Sequence, residues 1–135
     1  MQLGSYNFSL LVADAVALIE AIRGPHPRVH LVAHDWGGVV AWGVAGLHPQ
    51  LVETLVIMNA PHPSVFQQLL LTDPVQRNRS SYMLQFDNPA FDLTPTELAS
   101  FFAGESWFDG NGTAAAFAAS WARPGTVRAG LNWSA

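Results

Sequence analysis

Asp35 is the residue of this chain whose type and position most directly offer chemistry. It ends the apolar run Val29-His30-Leu31-Val32-Ala33-His34 and precedes Trp36-Gly37-Gly38. A serine at such a place would need a base to take its proton before attacking a carbonyl carbon. A carboxylate is already ionised at neutral pH. It can displace a leaving group from saturated carbon and become an alkyl ester. The substrates that suit it are strained or activated alkyl groups, namely epoxides and alkyl halides. Water must then hydrolyse the ester at the Asp35 carbonyl, and the oxyanion so formed needs preorganised donors. The backbone N–H of Trp36, one residue on, is the expected first donor.

The elements around Asp35 must form a sharp strand-to-helix turn to expose it. Val29 to Ala33 is short, apolar and rich in β-branched residues, which predicts a strand buried on both faces, as in a parallel sheet. Gly24, Pro25 and Pro27 punctuate it upstream. Val39 to Leu47 reads as a helix with a small-residue face that ends before Pro49. Ala33 and Gly37 lie two residues to either side of Asp35 and are expected to be small because the turn crowds them. Asp35 then sits where a helix dipole and unsatisfied N–H groups favour an anion. The plainer alternative is that Asp35 only caps that helix, a common role for aspartate.

With these residues in view the chain resembles the epoxide hydrolase branch of the α/β-hydrolase superfamily. The resemblance is carried by His34-Asp35-Trp36-Gly37-Gly38, by His48-Pro49, and by Leu55-Val56-Ile57-Met58-Asn59-Ala60-Pro61-His62-Pro63. It continues through Ser81-Tyr82-Met83-Leu84-Gln85-Phe86 to Leu131-Asn132-Trp133. Haloalkane dehalogenases share the first block; the Asn-Ala-Pro-His-Pro block favours the epoxide hydrolases. The resemblance implies a partial α/β-hydrolase fold followed by a helical cap. It implies Asp35 as nucleophile and Tyr82, in its Tyr-x-x-x-Phe frame, as a cap tyrosine that hydrogen-bonds the epoxide oxygen. A phenol suits that task because it can donate to oxygen while the carboxylate attacks carbon. Without the resemblance, Tyr82 reads as a cap-helix tyrosine packed by its ring. The family's second tyrosine falls in an Asn-Trp-Tyr-Arg pattern, where this chain has Asn132-Trp133-Ser134-Ala135. Ser134 cannot reach as far as a tyrosine.

Composition narrows the alternatives. The chain has 135 residues, is 50% hydrophobic and 12% charged, and carries a formal net charge of −4 with no lysine. It is globular in character. Its charge argues against nucleic acid and anionic membranes as partners. There is no cysteine, so thiol chemistry and disulfides are excluded. The apolar stretch Leu10 to Ile19 contains Asp14 and is too short to span a bilayer. No basic segment followed by an apolar signal core opens the sequence, and a cytoplasmic location is expected. No phosphate-cradling glycine loop, dinucleotide fingerprint or zinc spacing occurs. No cofactor is expected, and the expected partner is a small apolar epoxide-type substrate.

The remaining pattern divides the chain into residues 1–63, a partial core, and 64–135, a helical lid region. Phe8 to Ile22 predicts a helix whose inward face is Leu11, Ala15, Leu18, Ile19 and Ile22, capped by Asn7 or Ser5 and followed by Gly24. A second strand is expected over Leu55 to Met58. Two strands with two helices leave open edges and bare apolar faces, so the chain reads as an internal fragment or a truncated product. Beyond Ser64, Pro74, Pro89, Pro95 and Pro124 interrupt short helices. Thr94-Pro95-Thr96-Glu97 looks like a helix start, and Thr113 to Ala122 like an alanine-rich helix. Phe101, Phe102, Trp107, Phe108, Phe117 and Trp121 are expected to pack the cap.

His30 and His34 would lie about 13 Å apart on a strand and cannot share a metal. His30 is expected in the core, His34 near the turn, lining the site or orienting it, and His62 in a loop. The histidine and acid that complete such a site follow the nucleophile in sequence. Asp87, Asp92 and Asp109 lie in the lid region and are not assigned to that role. Three readings therefore stand: epoxide hydrolysis, dehalogenation with the Trp36 indole binding halide, and a non-catalytic remnant. Little or no turnover is expected of the 135-residue chain by itself.

Overall fold

The computed structural model describes residues 7–86, 91, 93–100, 102–104 and 112–131. Packing divides the chain into two compact units, Gln2–Ser81 and Tyr82–Ala135.

The first unit opens with α1, Phe8–Ile22. Asn7 caps it, its side-chain oxygen accepting the Ser9 N–H at 2.9 Å. The other expected cap, Ser5, lies outside the described residues. Gly24, at φ +58°, turns the chain away from the helix end, a conformation open to glycine without steric cost. Strand β1, Val29–His34, leads into α2, Trp36–Leu47, and a short 3-10 turn, Pro49–Leu51, feeds β2, Val52–Met58. Strand β2 therefore starts three residues earlier than its apolar run implied. The two strands pair in parallel, with His30 opposite Thr54 and His34 opposite Met58, after one register irregularity between Val29 and His30. This is a strand-helix-strand unit of the α/β class.

The core lies between the helices and one face of this sheet. Val12 and Ile19 from α1, Val40 and Val44 from α2, and Leu51 are buried together, with Leu11, Ala15, Val16, Val29, Leu31 and Val52 packed against them. The inward face of α1 is thus rotated from the one its periodicity gave, and Leu18 and Ile22 are exposed. The cause is a close helix crossing at Gly43. A Cβ there would lie 2.6 Å from both Phe8 Cζ and Val12 Cγ2, so α2 meets α1 on the Phe8–Val12 side.

The expectation of burial on both sheet faces is corrected. Exposure alternates along β1, and Val32 (60%), Val56 (45%) and Met58 (49%) remain open. Both helices pack on the Val29–Leu31 side. His30 points to the open side and is exposed, not a core histidine.

Two further helices follow in this unit, α3 (Pro63–Thr72) and α4 (Pro74–Arg79). Each begins with proline in its first turn, where the missing N–H costs nothing; Pro74 starts a helix instead of interrupting one. The Asp73 carboxylate accepts the N–H groups of Val75 (2.8 Å) and Gln76 (3.3 Å). Arg77 donates from Nε to the Leu70 carbonyl (3.0 Å) and from Nη2 to the Leu71 carbonyl (2.8 Å). The last turn of α3 and the first of α4 are thereby both satisfied at one corner.

The second unit contains α5 (Met83–Phe86), α6 (Pro95–Ser100), α7 (Thr113–Trp121) and α8 (Thr126–Leu131). The helix start read at Thr94 is a full capping box. Glu97 Oε2 accepts from the Thr94 N–H and hydroxyl, each at 2.7 Å, and Thr94 Oγ1 accepts the Glu97 N–H at 3.2 Å. Trp121 stacks on Phe102 at 5.9 Å between centroids and meets Phe117 at 5.1 Å. Arg128 donates to the Phe91 carbonyl at 3.1 Å. Phe101, Trp107 and Phe108 lie outside the described residues. Among the described residues, no helix is long and apolar enough to cross a membrane.

Candidate active site

The turn at Asp35 is built by the ends of three elements. The Asp35 N–H continues the sheet ladder to the Met58 carbonyl at 3.2 Å. Its carbonyl accepts from Gly38 (2.8 Å) and Val39 (3.2 Å), which starts α2. Between these commitments the backbone is forced to φ +53°, ψ −127°. Non-glycine residues rarely adopt a positive φ, and such outliers cost about 1–3 kcal/mol. The side chain makes no capping bond to α2. A capping aspartate instead has extended backbone and accepts an N–H of the first turn. Asp35 is exposed, so its carboxylate is presented outward at the sheet's carboxyl end.

Two donors face the same end. Among the described residues, the N–H groups of Trp36 and Gly37 make no hydrogen bond, as is usual in the first turn of a helix. Trp36 itself is half-buried. His34 ends β1, exposed, and its imidazole makes no hydrogen bond among the described residues.

The small residue that permits the turn is not Gly37. A Cβ on Gly37 would meet nothing within 4 Å, whereas one on Gly38 would lie 2.5 Å from Ala60 Cβ and 3.3 Å from Ile57 Cγ2. The close approach is between α2 and the exit of β2, one residue later than expected. The same exit is tied from above by Trp42, whose Nε1–H donates to the Ala60 carbonyl at 3.3 Å. Trp42 also meets the edge of His62 at 5.0 Å. His62 is no loose loop residue: its Nδ1 accepts the Ser64 N–H at 3.3 Å and caps α3.

Asn59 was not singled out by sequence. It is the other non-glycine residue with positive φ among those described, at +52°. The register of His34 with Met58 puts Asp35 and Asn59 side by side. Asparagine tolerates that backbone better than most residues, and this was the available signal.

In the second unit, Tyr82 is 57% exposed. It lines a cavity of about 680 Å³ together with Gln85, Leu98, Phe102, Trp121 and Thr126. That size and mostly apolar lining fit a small-molecule pocket. Among the described residues no group of three or more His, Cys, Asp or Glu side chains is placed to hold a metal ion. Ser134, and with it Asp87, Asp92 and Asp109, lies outside the described residues.

The profile described as "Alpha/beta hydrolase family" matches residues 3–135. Epoxide hydrolase 4 of Mus musculus is 37% identical over 87 residues, 64% of this chain and 24% of that protein. Epoxide hydrolase 2 of Caenorhabditis elegans is 42% identical over 86 residues, again 64% and 24%. The AB hydrolase superfamily protein YfhM of Bacillus subtilis is 28% identical over 96% of this chain and 47% of its own length. The chain thus spans about a quarter of the epoxide hydrolases it matches.

Proposed function

This chain belongs to the alpha/beta hydrolase family, and from that premise we propose that it carries the nucleophile and an oxygen donor of an epoxide hydrolase. Asp35 attacks an epoxide carbon and forms a hydroxyalkyl ester. Tyr82 donates to the ring oxygen as the carbon–oxygen bond breaks. The Trp36 N–H stabilises the oxyanion when water later attacks the ester carbonyl, and His34 lines the approach to Asp35. The substrate is a small apolar epoxide, and the product of the complete reaction is a diol. Residues 64–135 serve as the lid and residues 1–63 as part of the core.

One observation carries this reading. Asp35 is held in a costly backbone conformation, exposed, with no capping bond in return. The names of the epoxide hydrolase relatives support the choice of epoxides over haloalkanes.

The experiment is single-turnover labelling of the 135-residue chain, read by intact-mass and peptide mass spectrometry. An epoxide should add its whole mass at Asp35, because the ring opens without a leaving group. A haloalkane would add its alkyl group and release halide. Adduct formation at Asp35 that vanishes in Asp35→Asn supports the proposal. Labelling that is absent, or equal in Asp35→Asn, refutes it and leaves the remnant reading. A haloalkane adduct in place of the epoxide adduct selects dehalogenation.

A further inference from the structure

His62 holds the start of α3 by a hydrogen bond that a proton would break. Its backbone lies at φ −57° and ψ +130°, outside the helical range, as an N-cap requires. Its Nδ1 accepts the Ser64 N–H at 3.3 Å, and its carbonyl accepts the Phe66 N–H at 3.0 Å. An accepting ring nitrogen needs its lone pair, so the capping imidazole is neutral with its proton on Nε2. The caps at Asn7 and Asp73 use a side-chain oxygen instead. The indole of Trp42 meets the His62 ring at 5.0 Å between centroids, with the planes at 67°. Trp42 is itself tied to the Ala60 carbonyl at 3.3 Å. The imidazole thus has two contacts, and only the one with Ser64 needs the lone pair.

We propose that His62 is a proton-operated cap, which holds the first turn of α3 to the exit of β2 when neutral and releases it when charged. This goes beyond the function proposed above and does not depend on it. Imidazole is the side chain suited to change charge between neutral and mildly acidic pH. When Nδ1 takes a proton from solvent, its lone pair is gone and it becomes a donor facing the Ser64 N–H. The new charge also lies at the N-terminus of a ten-residue helix, whose dipole disfavours a cation there. Both effects act in the same direction. The contact with Trp42 persists, because 5.0 Å is within the distance at which an indole attracts a cation. The ring therefore stays beside the β2 exit while the helix start lets go. Neither α2 nor α3 carries a charged side chain that could counter the charge. Asp73 and Arg77 lie at the far end of α3. Glu53 lies at the far end of β2, paired with Arg28 at 3.2 Å. The titratable groups at the same end of the sheet are His34 and Asp35.

The test is amide exchange followed by NMR on the 135-residue chain, from about pH 8 down to about pH 5, with each rate corrected for the intrinsic effect of pH. The His62 ring signal is identified by its loss in His62→Asn and is titrated in the same wild-type samples. Protection of the Phe66 amide should fall about five- to tenfold on acidification, from loss of the cap and repulsion by the helix dipole. The fall should share its midpoint with the His62 ring. Leu11, whose N–H donates to the Asn7 carbonyl at 3.1 Å in the first turn of α1, should keep its protection, because an asparagine cap does not titrate. His62→Asn should likewise hold Phe66 protection constant across the range, and His62→Ala should hold it constantly low. A fall that persists in His62→Asn, that Leu11 shares, or that follows another midpoint overturns the proposal. So does unchanged protection in wild type.

Discussion

Replacing Gly38 by alanine tests the close approach on which the Asp35 turn is built. The added methyl would sit 2.5 Å from Ala60 Cβ and 3.3 Å from Ile57 Cγ2. Ala60 Cβ cannot swing aside, so the backbone of α2 or of the β2 exit must move. Overpacking of this kind costs about 1–3 kcal/mol. Against it stands the gain from replacing glycine in a helix, at most about 1 kcal/mol. The expected net loss is about 1–2 kcal/mol. Gly37→Ala is the internal control: its methyl meets nothing within 4 Å, so only the propensity gain remains, and the variant should equal or exceed wild type. Urea unfolding followed by circular dichroism should therefore separate the two alanine variants by the overpacking cost, about 1–3 kcal/mol. Gly38→Ala combined with Ala60→Gly should recover much of the loss, since it removes the atom that is struck. Equal stability of the two single variants, or no recovery in the double variant, would refute the argument that the contact with Ala60 sets residue size in this turn.

Other perturbations follow from single contacts. Asp35→Gly should stabilise the chain by about 1 kcal/mol in the same unfolding assay, because glycine adopts positive φ without strain, while ending ester formation seen by mass spectrometry. Trp42→Phe should cost about 1 kcal/mol by loss of the bond to the Ala60 carbonyl, with the aromatic edge toward His62 retained. Arg77→Ala should cost about 1–2 kcal/mol and raise amide exchange in the α3–α4 corner, since the Leu70 and Leu71 carbonyls lose their charged donor. Thr94→Ala should cost about 1 kcal/mol and increase amide exchange over Pro95–Ser100 by breaking the reciprocal cap.

Local chemistry was the legible part of the fold. The span Phe8–Ile22 follows from apolar spacing and the Asn7 cap, and the Thr94–Glu97 box from its own residue types. The strand-turn-helix at Asp35 was readable because a β-branched run, a polar residue and two glycines leave few other arrangements. What sequence did not reveal depends on contacts between distant segments. The inward face of α1 was set by where Gly43 lets α2 approach, which no pattern inside α1 records. Gly37 and Gly38 are equivalent in sequence and differ only through Ala60. His30 looked like a core residue because an apolar strand suits two covered faces, but helices pack on one side only. Gln85 was part of a recognisable block, yet only the turn closed on Tyr82 puts it at the same cavity. The residue context of Asp35 was legible in the sequence, whereas its positive φ and missing capping bond were not.

The parallel register has a kinetic consequence. Each β1–β2 pairing joins residues about 24 positions apart, so loop-closure entropy is spent before any ladder bond forms. Helix α2 occupies that loop and must form and dock for the strands to meet. The positive φ of Asp35 is imposed from both sides, by the ladder bond to Met58 and by the first turn of α2. A chain with only one of these in place has no reason to keep the strained conformation, and Asp35 relaxes into ordinary backbone. Outward presentation of the carboxylate is then among the last events of folding in this unit, and partly folded chains expose Asp35 without its positive φ.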